Sequence, residues 1–260
     1  MLCEVQGYVF AAKVSMAWLF QRLGVLERAA QLQAEAAELR RRFNDRFWLA
    51  DQDMFALGLD GEKRPIDAVA SNAGQCLWSG IAYPEQGARL ARRLLADELF
   101  SGWGVRTLST RMAAYNPIGC HNGAVWPHDN ALIAAGLARY GHTREANQII
   151  RAQFEAASHF PGHRLPELFA GLSRSEVGFP VEYPYANAPQ AWAAGAVILF
   201  LETWLGLAPS GRRLQARPLP DAPRMCWRGL RFRGRSYDIG ASGPRAAQSK
   251  SKGESPTRMA

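Results

Sequence analysis

Residues 115–130 read YNPIGCHNGAVWPHDN, and a stretch with helical apolar spacing follows from residue 128. Asn116, His121, Asn122, His128, Asp129 and Asn130 stand here among Tyr115, Trp126 and two prolines. No packing rule calls for so many polar and aromatic groups in one place. Because a helix begins immediately afterwards, the segment reads as a long connection between helices. Connections above about 12–15 residues in a compact domain are functional or disordered as a rule, and the ring content argues against disorder. A second dense stretch, RLPELFAG at 164–171, sets one carboxylate, Glu167, between a proline and an aromatic ring. Flat rings stack on sugar faces, planar amides and carboxylates take up hydroxyls, and a carboxylate supplies proton chemistry, so the two stretches have the composition of a carbohydrate cleft.

Outward from these loops the chain reads as paired helices. Apolar residues recur at helical spacing over 7–22, and Gly24 ends that run. The 25–47 stretch places Leu26, Ala30, Leu32, Ala36, Leu39 and Phe43 on one stripe, with three arginines near its end. The following segment breaks the pattern, and its Asp60-Gly61 and Pro65 predict a short hairpin. Helices are expected again over 73–82, 85–97, 128–140, 143–157 (with Thr143 as N-cap) and 189–206. The 100–126 and 158–188 segments are too rich in Gly, Pro and rings to be regular, while 213–220 and 225–239 read as short strands. The expected fold is all-α: an incomplete (α/α)6 toroid of about seven helices, with the long loops gathered at one end and a small C-terminal β element. Its expected divisions are 1–210, a β appendage over 211–240, and a disordered basic tail over 241–260.

A chain of 260 residues, 48% hydrophobic and with eight tryptophans, is long enough to bury a substantial core. The net charge of +8 invites a nucleic-acid reading, but its distribution argues otherwise. Residues 211–260 hold twelve Lys or Arg against three acids, whereas residues 1–210 hold nineteen against twenty. The excess therefore sits outside the helical part, and no nucleic-acid partner is expected. No run of eighteen apolar residues suggests a membrane span, and the N-terminus lacks a basic leader region. Cys3, Cys76, Cys120 and Cys226 have no paired spacing, which fits reduced thiols in a cytoplasm. His121 and His128 lack further partners at ligand spacing, so neither metal nor cofactor is expected.

Five segments in order, EVQGYVFAA (4–12), SGWGVRTLS (101–109), YNPIGCHNGAVWPHDNAL (115–132), LPELFAG (165–171) and APQAWAAGA (188–196), resemble the C-terminal catalytic part of the bacterial amylo-α-1,6-glucosidase (glycogen-debranching-like) family. More broadly they are similar to (α/α)6-barrel glycosidases such as mannosylglycerate hydrolase, trehalase and glucoamylase. The resemblance spans about residues 1–240. It implies inverting hydrolysis of an α-glucosidic bond in an oligosaccharide or small glucoside, with Glu167 as the base that deprotonates water. It also implies a general acid, an aspartate in a QGWKDS-like motif shortly before EVQGY. This chain begins three residues before EVQGY and holds no such motif. A truncated chain that keeps the base and lacks the acid is therefore expected, with apolar flanks left open to association. The alternative is a non-catalytic remnant that serves as a sugar-binding or helical interaction module.

Taken alone, the residues leave Glu167 between a base and a helix-terminal carboxylate paired with Arg164. Asp129 is expected to hold a substrate hydroxyl, the competing role being a helix cap. Trp126 is the expected stacking platform and Trp192 a further wall, though core packing would use either equally well. By the resemblance, Glu4 and Gln6 are expected sugar ligands, and Trp103, Arg106, Tyr115, Asn116, His121, Asn122, His128 and Gln190 complete the set. Tyr183 and Tyr185 are expected near the entrance.

Overall fold

The computed structural model describes residues 1–242, 245–246 and 250–251. Two compact units divide between Leu199 and Phe200. The first is built from helices α1 (Cys3–Arg22), α2 (Leu26–Phe47), α3 (Asn72–Ser79), α4 (Pro84–Leu94), α5 (Pro127–Arg139), α6 (Thr143–Ala157), the single turn α7 (Arg174–Val177) and the start of α8 (Ala191–Leu205). α1, α3 and α5 lie side by side, and each is backed by its hairpin partner α2, α4 or α6. This is the expected double layer of an α/α toroid. Helices predominate, but paired strands are also present, so the fold is not purely all-α.

Small residues set the spacing of the inner layer. A β-carbon on Gly136 of α5 would fall 2.5 Å from the Trp78 amide nitrogen of α3, so only glycine permits this approach. α2 is tied to the α3–α4 connection by Asn44. Its amide donates to the Arg40 and Ile81 carbonyls at 2.7 and 2.8 Å, and its Oδ1 accepts the Tyr83 N–H at 2.9 Å. A buried amide with all its groups answered fixes one arrangement of the backbone around it.

The segment between α2 and α3 forms two small antiparallel pairs, β1 (Trp48–Leu49) with β2 (Met54–Phe55) and β3 (Gly58–Leu59) with β4 (Pro65–Ile66). The second turns at the expected Asp60-Gly61. α1 begins at Cys3, four residues before the expected start, because the backbone of Leu2 bridges to Gly58 and holds the first turn. His142, not Thr143, occupies the N-cap of α6.

The second unit contains a core of Leu205, Tyr237 and Ile239, with Leu207, Leu214, Trp227, Leu230 and Phe232 packed against it. β5 (Leu207–Ser210) pairs with β6 (Arg213–Ala216), and β7 (Met225–Phe232) pairs with β8 (Arg235–Ser242). Side chains alternate inward and outward along β7 on either side of an irregularity at Arg228 and Gly229, as a sheet with one wet face requires. β9 (Arg245–Ala246) and β10 (Lys250–Ser251) also pair with β8. The rest of the expected 241–260 tail lies outside the described residues.

Candidate active site

The two long connections meet as a ladder of single bridges: Arg106 with Val125, Val125 with Phe169, and Phe169 with Glu182. Arg106 locks them together. Its guanidinium donates to the carbonyls of Gly171 (2.6 Å) and Asp97 (2.9 Å) and to Ser173 Oγ (2.8 Å). Burial lowers its pKa, opposed by Tyr115 beside it. Asn130 pins the first connection to α5, accepting the Val105 N–H at 2.7 Å and donating to the Val105 and Trp126 carbonyls.

Next to this ladder opens a cavity of about 580 Å³. It is lined by the N-terminal ends of four helices: Leu2 and Glu4 at α1, Ser71, Asn72 and Gln75 at α3, Trp126, His128 and Asp129 at α5, and Trp192 at α8. His121 and Asn122 add a rim from the 115–126 loop. The wall is aromatic. His121 stacks on Trp126 at 5.6 Å, Trp192 meets Trp126 edge-on at 5.9 Å, and His128 lies 4.9 Å from Trp192. Trp126 is oriented by its own N–H, which donates to the Cys120 carbonyl at 2.8 Å.

Asp129 lies at the floor, 6% exposed. Its Oδ1 accepts from Gln75 Nε2 at 2.6 Å, while Gln75 Oε1 accepts the Tyr8 hydroxyl. Burial raises its pKa, against the lowering effect of donors from Ser71 and Gln75 and of nearby His128. It stands in the first turn of α5, whose N-cap is Trp126.

Glu167 stands on the second connection, two residues before the bridging Phe169. It is not in a helix and does not pair with Arg164. Instead its Oε2 accepts from the Asn187 backbone N–H (3.2 Å) and side-chain amide (2.7 Å). Its charge reaches Cys120, whose thiol pKa is raised by burial first and by Glu167 second. Glu167 does not line the cavity, and it stands two residues from Phe169, which bridges to Val125.

Several expected ligands lie elsewhere. Trp103 is buried in the core, edge-on to His159 at 5.4 Å with the Arg174 guanidinium over its face at 4.4 Å. Arg106 is the clamp between the two connections and does not reach the cavity. The Tyr115 hydroxyl donates to the Gly171 carbonyl at 3.2 Å, and Asn116 closes its own turn by accepting the Ile118 N–H at 3.1 Å. Gln6 faces a different cavity beside Leu39, Arg41 and Phe43, because two residues of helix beyond Glu4 turn it to the other side of α1. Gln190 folds back to accept the Ala191 N–H at 2.6 Å. Tyr183 lines a third cavity with Arg164 and Glu182, and Tyr185 is 87% exposed. Sequence reasoning missed Ser71, Asn72, Gln75 and Tyr8. They sit on helices whose patterns read as ordinary, and only packing brings them to the floor.

A row of inner helices whose first turns surround a ring-walled, carboxylate-bearing cavity defines the class of the (α/α)6 glycoside hydrolases. Residues 3–165 match the mannosylglycerate hydrolase MGH1-like glycoside hydrolase domain, and the chain belongs to that family. The match ends just before Pro166 and Glu167. Solved structures agree in fold. A sialidase superposes with a TM-score of 0.72 at 13% identity, over 92% of this chain and 23% of that one. The GH63 mannosylglycerate hydrolase from Thermus thermophilus, in complex with Tris, gives 0.62 at 16% identity, over 76% and 44%. The neutral trehalase from Saccharomyces cerevisiae gives 0.58 at 15% identity, over 78% and 37%. The chain therefore spans less than half the length of these structures. No curated protein matches it in sequence.

Proposed function

We propose that this domain hydrolyses an α-glucosidic bond with inversion, in the manner of an amylo-α-1,6-glucosidase, with Glu167 as the general base. One observation carries the reading: the Val125–Phe169 bridge draws Glu167 alongside the loop that supplies the aromatic wall of the cavity. Asn187 holds the carboxylate by two donors and leaves its other oxygen for a water molecule. Glu4, Asp129, His128, Trp126 and Trp192 surround a space that suits one sugar ring, and the Thermus mannosylglycerate hydrolase has been solved in complex with glucose. In the resembling family the general acid is an aspartate of a QGWKDS-like motif, which residues 1–260 do not contain. The test is glucose release from isomaltose and maltose by the full-length gene product and by its Glu167→Gln variant. A loss of about 10²–10⁴-fold in the variant supports the base role, because general-base catalysis contributes that much. Unchanged turnover removes Glu167 from it.

A second reading, an interaction module, is favoured by α1. Val5, Val9, Met16, Leu19 and Leu23 form an apolar exposed face along this helix and its cap, with Leu19 40% and Leu23 66% exposed. Monomeric proteins rarely leave so continuous an apolar surface in water. Light scattering of the wild type beside Leu19→Lys tests it. Association abolished by the substitution supports the module, and a monodisperse monomer in both removes it.

A further inference from the structure

We propose that Tyr8 and Gln75 form a strut that holds Asp129 in place as an ionised acceptor for a sugar hydroxyl. The inference deepens the glycosidase reading and rests on it only for the identity of the ligand. Three helices contribute one member each. From α1 the Tyr8 hydroxyl donates to Gln75 Oε1, and from α3 Gln75 Nε2 donates to Asp129 Oδ1 of α5 at 2.6 Å.

An ionised carboxylate can only accept, so Asp129 takes the donor end of Gln75, and the Tyr8 hydroxyl closes on the acceptor end and holds the amide there. Without it the amide loses its anchor at the far end and is free to swing away from the carboxylate, which weakens the hydrogen bond to Asp129. With it, Asp129 keeps one orientation at the cavity floor and one oxygen committed to Gln75. The other oxygen is left to a ligand. Tyr8 is itself marked by this setting. Its pKa is pushed up to about 12 by burial first and by Asp129 and Glu4 next, so it remains a donor throughout the physiological range.

The other ionisable groups near Asp129 are Glu4 and Cys3 on α1, Cys76 on α3 and His128 next to it on α5. Glu4 disfavours the Asp129 charge and His128 favours it, and neither orients the carboxylate. Gln75 therefore fixes the geometry and, after Ser71, stabilises the charged form.

The sign of the effect follows. Gln75 lowers the pKa of Asp129 by donating to the carboxylate, so loss of the strut raises that pKa further above the ordinary carboxylate range. A ligand that needs the ionised acceptor is released as pH falls through the pKa of Asp129, and the variants will release it at higher pH than the wild type.

The experiment is a pH titration of the 13Cγ-aspartate-labelled chain by NMR, with the Asp129 resonance assigned by its loss in Asp129→Asn. It compares the wild type with Tyr8→Phe, Gln75→Met and, as a control, Tyr140→Phe, whose hydroxyl bonds the Ala82 carbonyl elsewhere. The strut predicts an upward shift of the midpoint of about one unit in Tyr8→Phe and Gln75→Met, the size of one hydrogen bond to a charged group, and none in the control. In parallel, glucose binding is followed by tryptophan fluorescence, with about tenfold weaker binding expected at neutral pH in both strut variants. An unmoved midpoint in a folded Tyr8→Phe overturns the strut, whatever the sugar does. A moved midpoint with no glucose binding by the wild type supports the strut and counts against the glycosidase reading instead.

Discussion

Val125 and Phe169 exchange two backbone hydrogen bonds: the Val125 N–H donates to the Phe169 carbonyl at 2.8 Å, and the Phe169 N–H to the Val125 carbonyl at 3.0 Å. This pair joins the two long connections, 100–126 and 158–188. The hydrogen bonds are made by backbone, so the side chains must hold the register. Phe169, fully buried against Phe160 at 5.7 Å, does so.

Phe169→Ala is expected to cost about 3–5 kcal/mol, the usual loss for emptying a buried aromatic site. Chemical denaturation measures it. A cost below about 1 kcal/mol would mean that the ladder survives without the ring.

Trp192 is half exposed and contributes rings to the cavity, so its truncation separates binding from folding. Trp192→Ala should weaken glucose binding about tenfold, from the loss of an aromatic contact worth roughly 1 kcal/mol or slightly more. The thermal midpoint should move by only a degree or two. Calorimetric titration and a melting curve give both quantities.

Asp129→Asn should raise stability at neutral pH while it damages binding. The wild-type carboxyl has a pKa raised by burial, so its stabilising effect is complete below the unfolded value and lost as pH rises through the folded one. The advantage of asparagine is therefore greatest at neutral pH and vanishes on acidification to the ordinary carboxylate range. Melting temperatures of both proteins between about pH 4 and pH 8 test this, the window that spans the ordinary carboxylate range and neutrality. Parallel curves would contradict the buried-charge account.

At the crossing of α3 and α5, Gly136→Ala places a methyl group 2.5 Å from the Trp78 nitrogen. The helices must separate, at a cost of about 1–3 kcal/mol by overpacking. Equilibrium unfolding reads this directly, and an unchanged midpoint would show that the crossing yields without cost.

Much of the architecture was legible because it depends on local patterns. The apolar stripe of α2, the break at Asp60-Gly61 and the ring-rich connections each follow from spacing a few residues long. So does the polar character of the cavity rim, since His121, Asn122, Trp126, His128 and Asp129 are near neighbours in the chain. Trp103 and Arg106 show where that reasoning stops. Their composition suits a cleft, but their direction depends on neighbours as distant as Arg174 and Gly171.

Sequence alone thus established helices in hairpins and irregular connections with the composition of a sugar site, because periodicity and side-chain type are properties of short segments, while five motifs carried the resemblance to the (α/α)6 glycosidases. Which polar groups reach the cavity depended on packing. Tyr8, Gln75 and Asp129 come from three helices, and Val125 meets Phe169 across a bridge between two loops. Contacts of this kind exist only once hydrophobic burial has set the helices side by side.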